Sequence, residues 1–206
     1  MKCLVVVAHP DDEAIWMGGT ILRHPDWEWH ILSLCRASDP DRAPRFYKAA
    51  LEFHAHAYIS DLDDSPTLAA LSPNLHEIKD RIINLVPQEF DLIFTHGSSG
   101  EYTRHERHEQ VHRAVYEILK SGELTGEPVS FAYEDCGGTC RPRPHASASV
   151  QIYLSHDEFA AKQHIIGDIY GFDKGSFEFE SAGPVEAFLT SPGGIAPSLI
   201  KKKAFS

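Results

Sequence analysis

The chain has 206 residues, enough to bury a full hydrophobic core within one domain. Its net charge of −11 argues against a nucleic-acid backbone as the main partner, and no stretch approaches the roughly 18–20 apolar residues of a membrane span. Four cysteines are too few for a disulfide scaffold, and no signal-peptide h-region precedes the first apolar run, so the cytoplasm is the expected compartment.

Residues 3–8 form a continuous apolar run, as in a strand buried on both faces of a parallel sheet. Residues 12–23 read as a helix despite Gly18 and Gly19, which points to close backbone packing there. A second strand spans Trp29 to Leu34 and leads into a polar loop through Pro40. Phe46, Ala49, Ala50 and Phe53 carry helical spacing within a helix from Arg45 to His54. A short third strand, Ala57 to Ser60, precedes an acidic loop containing Asp63 and Asp64, which reads as a solvated turn. Ser72 and Pro73 open a third helix running to about Val86. Asp91 to His96 is a fourth strand and residues 105–120 a fourth helix. Four β-then-α units in succession predict an α/β fold, a Rossmann-like, mostly parallel sheet with helices on both faces. Beyond residue 126 the pattern weakens. Val129 to Tyr133 and Ser149 to Leu154 read as strands, Asp157 to Tyr170 as a helix, and the tail shows no clear period. No linker or repeat marks a boundary, so residues 1–206 are expected to form a single domain.

Two clusters carry chemistry. Ala8-His9-Pro10-Asp11-Asp12-Glu13 follows the first strand, where open α/β sheets place their sites. His9 and Asp12 are spaced to share one metal, which leaves Asp11 free to act as a base, while Glu13 suits the first turn of a helix. His105 and His108, three apart at a helix start, face the same way after the fourth strand, so one can bind metal while the other faces substrate. His96 and His112 read as supporting residues, and His54 and His56 form a further small histidine cluster. Arg36, Asp39, Arg42, His145 and Lys162 are candidates for contact with a polar ligand. Cys136 and Cys140 read as free thiols in a loop, since no second Cys/His pair follows at zinc-finger spacing.

Together the two motifs resemble the PIG-L / LmbE-like family of zinc-dependent N-deacetylases, over roughly the first 115 residues. The resemblance implies His9, Asp12 and His108 as ligands of Zn2+, with a water in the open position; Fe2+ or another divalent ion would also suit such a donor set. It implies Asp11 as general base and His105 as an imidazolium that stabilises the oxyanion or protonates the leaving amine, with Arg45 on substrate hydroxyls. Where the family usually carries His-Pro-Asp-His, this chain has His105-Glu106-Arg107-His108, which leaves Glu106 or Glu109 to supply an orienting carboxylate. The function so implied is removal of an acetyl group from a small N-acetylated amino sugar or conjugate, such as an N-acetylglucosamine derivative. Family members often assemble, so a homo-oligomer is compatible with the resemblance. An amidase on a larger conjugate, a phosphoesterase and a non-catalytic binding module are the alternatives.

Overall fold

The computed structural model describes residues 1–64, 75–101, 104–134, 141–194, 196 and 200. Its centre is β1 (Lys2–Val7), whose apolar run is buried on both faces as the unbroken Cys3–Val7 stretch requires. It is flanked by β2 (Glu28–Ser33) and β4 (Glu89–Thr95), with β3 (His56–Ile59) and β5 (Thr125–Phe131) outside them, all parallel. The full order is β3-β2-β1-β4-β5-β9-β8, in which β9 (Val185–Thr190) and β8 (Val150–Tyr153) extend the sheet antiparallel from β5. A separate ribbon pairs β6 (Tyr133–Glu134) with β7 (Arg143–Pro144).

Side-chain alternation along β1 feeds two cores. Cys3, Val5 and Val7 face a layer containing α1 (Asp12–Arg23), α2 (Arg42–Glu52) and the C-terminal α5 (His156–His164) with the π-helical turn Ile165–Ile169. Leu4 and Val6 face α3 (Leu75–Leu85) and α4 (Glu106–Ser121). The chain is therefore the expected mostly parallel sheet with helices on both faces. No helix among the described residues is long and apolar enough to cross a membrane.

Strand order reverses between β1 and β4, because the chain moves outward from β1 to β2 and β3 and then returns to the other side. A crevice opens at such a switch point, beyond the carboxyl ends of the strands. The segments after β1 and β4, carrying the two motifs, leave the sheet there.

The C-terminal third departs most from its sequence pattern. β9 lies in what reads as an aperiodic tail, and the helix expected to Tyr170 ends at His164 in a π turn. Ser72, Pro73, Cys136 and Cys140 lie outside the described residues.

Candidate metal centre

The loop from β1 enters α1 through Asp11, whose φ of 125° and ψ of −30° are unusual for any residue with a Cβ. That bend puts His9, Asp11 and Asp12 at one mouth of the crevice. Glu13 braces it: one carboxylate oxygen accepts the Asp11 backbone N–H at 3.1 Å, the other the Tyr170 hydroxyl at 2.5 Å. Burial pushes the Glu13 carboxyl up to about 7, with the Tyr170 bond opposing. The acid expected at a helix start thus also ties α1 to the C-terminal layer.

Three donor atoms converge across the crevice. His9 Nδ1 lies 3.3 Å from Asp12 Oδ2, His108 Nε2 lies 3.5 Å from the same oxygen, and the two nitrogens are 3.3 Å apart. A tetrahedral ion with bonds of 2.0–2.1 Å has ligand–ligand edges of about 3.3–3.4 Å, so the triangle has the dimensions of one face of a zinc site. Each histidine has its other nitrogen committed. His108 Nδ1 meets Glu101 Oε2 at 2.6 Å, and His9 Nε2 meets Asp64 Oδ2 at 3.1 Å. A proton donated to those carboxylates leaves both converging nitrogens with lone pairs, and two lone pairs beside a carboxylate call for a cation.

The electrostatics show the same pull on positive charge, with a proton on His9 standing where a metal ion would bind. Burial opposes charge on His9, but Asp12 and Asp64 outweigh it and lift the ring to about 10. Asp12 is held low despite burial by His108, His96 and His9. Glu101, fully buried, is likewise held at about 2 by His96 and His108. This donor set fits a zinc ion or a similar divalent metal.

His96 is close but spoken for. Its Nε2 accepts the Ala8 N–H at 2.9 Å and its Nδ1 faces Glu101 Oε1 at 3.1 Å, so no lone pair remains for a metal. Burial lowers its pKa, consistent with the neutral ring these bonds require. His112 binds the His96 carbonyl at 2.8 Å and packs as support.

Asp11 sits beside the triangle without being a corner of it. Burial and the neighbouring Asp12 raise its carboxyl well above the ordinary range, while Arg42 Nη1, 2.6 Å from Oδ2, pulls the other way. His105 is the residue before α4, with its ring stacked on His108 at 4.2 Å and edge-on to His9 at 5.1 Å. Partial removal from water, His108 and His9 bring it down to about 4. These surroundings favour the neutral ring over the imidazolium that the resemblance implies. These groups line a cavity of about 450 Å³, together with Trp16, Arg36 and Phe177.

Several expectations change in detail. Arg45 does not reach the cavity: it binds Asp41 Oδ1 at 2.8 Å and the Ile169 carbonyl at 3.2 Å. Arg42, nearly one turn earlier, lines the cavity and contacts Asp11. Lys162 is fully buried on Glu186, and His145 is exposed and bonded to Ser147, outside this cavity. Glu106 and Glu109 bond to Gln110 and Arg104, so neither orients a ligand histidine; Glu101 does. Asp64 is no solvated turn residue, since it faces His9, Arg36 and Arg107. Both carboxylates follow a strand at the same sheet edge as His9, a signal too general to single them out.

Comparison with known proteins supplies a frame for this geometry. An uncharacterized protein, L374 of Acanthamoeba polyphaga mimivirus, is 25% identical over 130 residues, and the match spans 56% of this chain and only about half of that relative, 56% of its length. Among solved structures, N,N'-diacetylchitobiose deacetylase of Pyrococcus horikoshii superimposes with a TM-score of 0.65 at 18% identity, covering 93% of this chain and 84% of its own. The 4-carboxy-2-hydroxymuconate hydratase GalB of Pseudomonas putida KT2440 does so at 0.57 and 17% identity, covering 88% and 82%. At such identities the likeness is one of fold, and the fold carries more than one chemistry. The profile of the PIG-L family, described as GlcNAc-PI de-N-acetylase, matches residues 4–119, a span that holds every corner of the donor triangle together with Asp11, Asp64, Glu101 and His105. By that match, over more than half of its length, the chain belongs to the PIG-L family.

Proposed function

We propose that this protein is a zinc-dependent hydrolase that removes an acetyl group from the amide nitrogen of an N-acetylated amino sugar or its conjugate. The reading is carried by the His9, Asp12 and His108 triangle with a separate carboxylate, Asp11, at its side. Zinc, when bound there, polarises an amide carbonyl and lowers the pKa of water towards neutrality. Asp11 in its ionised form takes a proton from the attacking water and returns it to the departing nitrogen, and the burial and Asp12 charge that raise its carboxyl make that carboxylate a stronger base. Arg42 keeps that carboxylate in place through its 2.6 Å contact. Neutral His105 donates an N–H to the carbonyl oxygen as negative charge develops on it. One water is consumed, the C–N bond breaks, and acetate and a free amine leave.

The substrate class rests on membership of a family described by GlcNAc-PI de-N-acetylation, and a cavity of about 450 Å³ is of a size for small ligands. A two-ion phosphoesterase is disfavoured. Both ring nitrogens of His96 are committed, and the other donor groups at this edge among the described residues reuse His9, Asp12 or His108, so no independent ligand set is left for a second ion. The test is a panel of N-acetylated sugars scored for released amine, with and without chelator, alongside Asp11→Asn. Chelator-sensitive release is expected, and Asp11→Asn should abolish it while keeping its zinc. Turnover that survives chelation, or survives in Asp11→Asn, overturns the reading; release only from larger amides would move it to an amidase on conjugates.

A further inference from the structure

We infer that Glu28, His30 and His56, at the opposite end of the strands from the cleft, form a second binding site for a transition-metal ion such as Zn2+, one that staples β2 to the edge strand β3. His30 and His56 are direct register partners on these parallel strands, so their side chains leave the same face. Glu28, two residues before His30, shares that face. The imidazole centroids are 4.6 Å apart, Glu28 Oε1 is 2.9 Å from His30 Nε2, and one donor atom from each residue lies within 4.8 Å of the others.

The group that would orient the His30 ring is already in place. His30 Nδ1 lies 3.1 Å from the hydroxyl of Tyr58, two residues beyond His56 on β3, and Phe90 packs edge-on at 5.2 Å. A bond from Nδ1–H to that hydroxyl leaves the Nε2 lone pair facing Glu28 and His56, the arrangement found for metal-binding histidines. Burial, with His56 and Lys2 adding to it, keeps the His30 pKa below the ordinary value, so little proton competition is met at neutral pH. Two imidazoles and one carboxylate select zinc, nickel or copper over magnesium or calcium. Lys2, whose ammonium lies 5.0 Å over Phe90, works against a cation here, whereas the overall charge of −11 works for it.

This site is separate from the catalytic one. Leu4, the β1 partner of His30, precedes His9 by five residues, or roughly 16 Å of strand, far beyond the 3.5–4 Å of paired catalytic ions. Its effect is structural. β3 has four residues and one neighbour in the sheet, and an ion held across β2 and β3 ties that edge in the folded state alone.

The experiment is equilibrium dialysis against micromolar Zn2+ with the full chain carrying His9→Ala and His108→Ala, which removes the catalytic ligands. One ion per chain should remain bound and raise the melting temperature. Adding His56→Ala or Glu28→Gln, both at exposed positions, should weaken binding at least tenfold and erase the thermal shift. His54→Asn, next to the cluster but outside it, should leave both intact. Zinc-dependent shifts of the His30 and His56 ring nitrogens should appear in histidine NMR spectra. Binding that is absent, or that is unchanged by both His56→Ala and Glu28→Gln, overturns the proposal.

Discussion

At the scale of single residues, the chemistry depends on which nitrogen of each histidine carries a proton. Glu101 and Asp64 make that choice for His108 and His9. Glu101→Gln and Asp64→Asn should each lower zinc affinity about 10–100-fold without emptying the site, as competition with a chromophoric chelator would report. Unchanged affinity in both would show that the histidines orient themselves. Arg42 acts on the other half of the machinery. Burial and Asp12 raise the Asp11 carboxyl, and Arg42 restrains that rise. Arg42→Met should therefore move the acid limb of kcat/KM to higher pH and lower the rate on that side; an unmoved limb would rule out Asp11 as the titrating base. The meeting of His9, Asp12, His108 and Asp11 at one edge is legible because each belongs to a short motif after a strand. Asp64 and Glu101 are not, because their partners are set by how two loops cross the sheet edge. Asp64 looks like one acid among several in its loop, and only the pairing of β3 with β2 carries it to His9.

Among the elements, the four leading β-α units are readable because their apolar runs are unbroken and their helices keep one face. β9 escapes because its second residue is Glu186, a charge that the sequence gives no reason to bury. α5 is readable as a helix, but its start does more than begin a turn. Ser155 and Glu158 form a capping box, and Glu158 also takes a two-pronged contact from Arg23 of α1, at 2.7 and 2.5 Å. Arg23 is the largest influence holding the Glu158 carboxyl at about 2 against an ordinary 4.5. A carboxyl depressed on folding contributes stability that is fully present above its unfolded pKa and fades as pH falls towards the folded one. Glu158→Gln should hence lose about 1–2 kcal/mol at neutral pH, less than the full shift implies because the pair is partly exposed to water. That deficit should shrink between pH 4.5 and about 2 in urea unfolding curves. A deficit of constant size across that window would show that the charge on Glu158 is not its source.

Over the whole molecule, the edge that carries the His9, Asp12 and His108 triangle is built by the parallel half of the sheet but held in place by the antiparallel half. Glu186 of β9 accepts the Gly19 and Thr20 backbone N–H groups of α1 at 2.8 and 2.6 Å, the Thr20 hydroxyl at 2.6 Å, and Lys162 of α5 at 2.7 Å. Glu186 and Lys162 are both fully buried, so three elements far apart in sequence meet on one ion pair. The helix that carries Asp12 is anchored there in its second half. Breaking a buried pair from one side leaves an uncompensated charge, at about 3–5 kcal/mol. The two sides are not equivalent, because Glu186 keeps three other donors when the lysine is lost, whereas among the described residues Lys162 retains only the Gly183 carbonyl, at 3.3 Å, when the carboxylate is lost. Glu186→Leu should consequently destabilise more than Lys162→Met in denaturant unfolding. The double variant should lose less than the sum of the two, since each substitution removes the partner that the other strands. Strict additivity would mean that the contacts with α1, rather than the ion pair, hold the C-terminal layer to the helix of the metal centre.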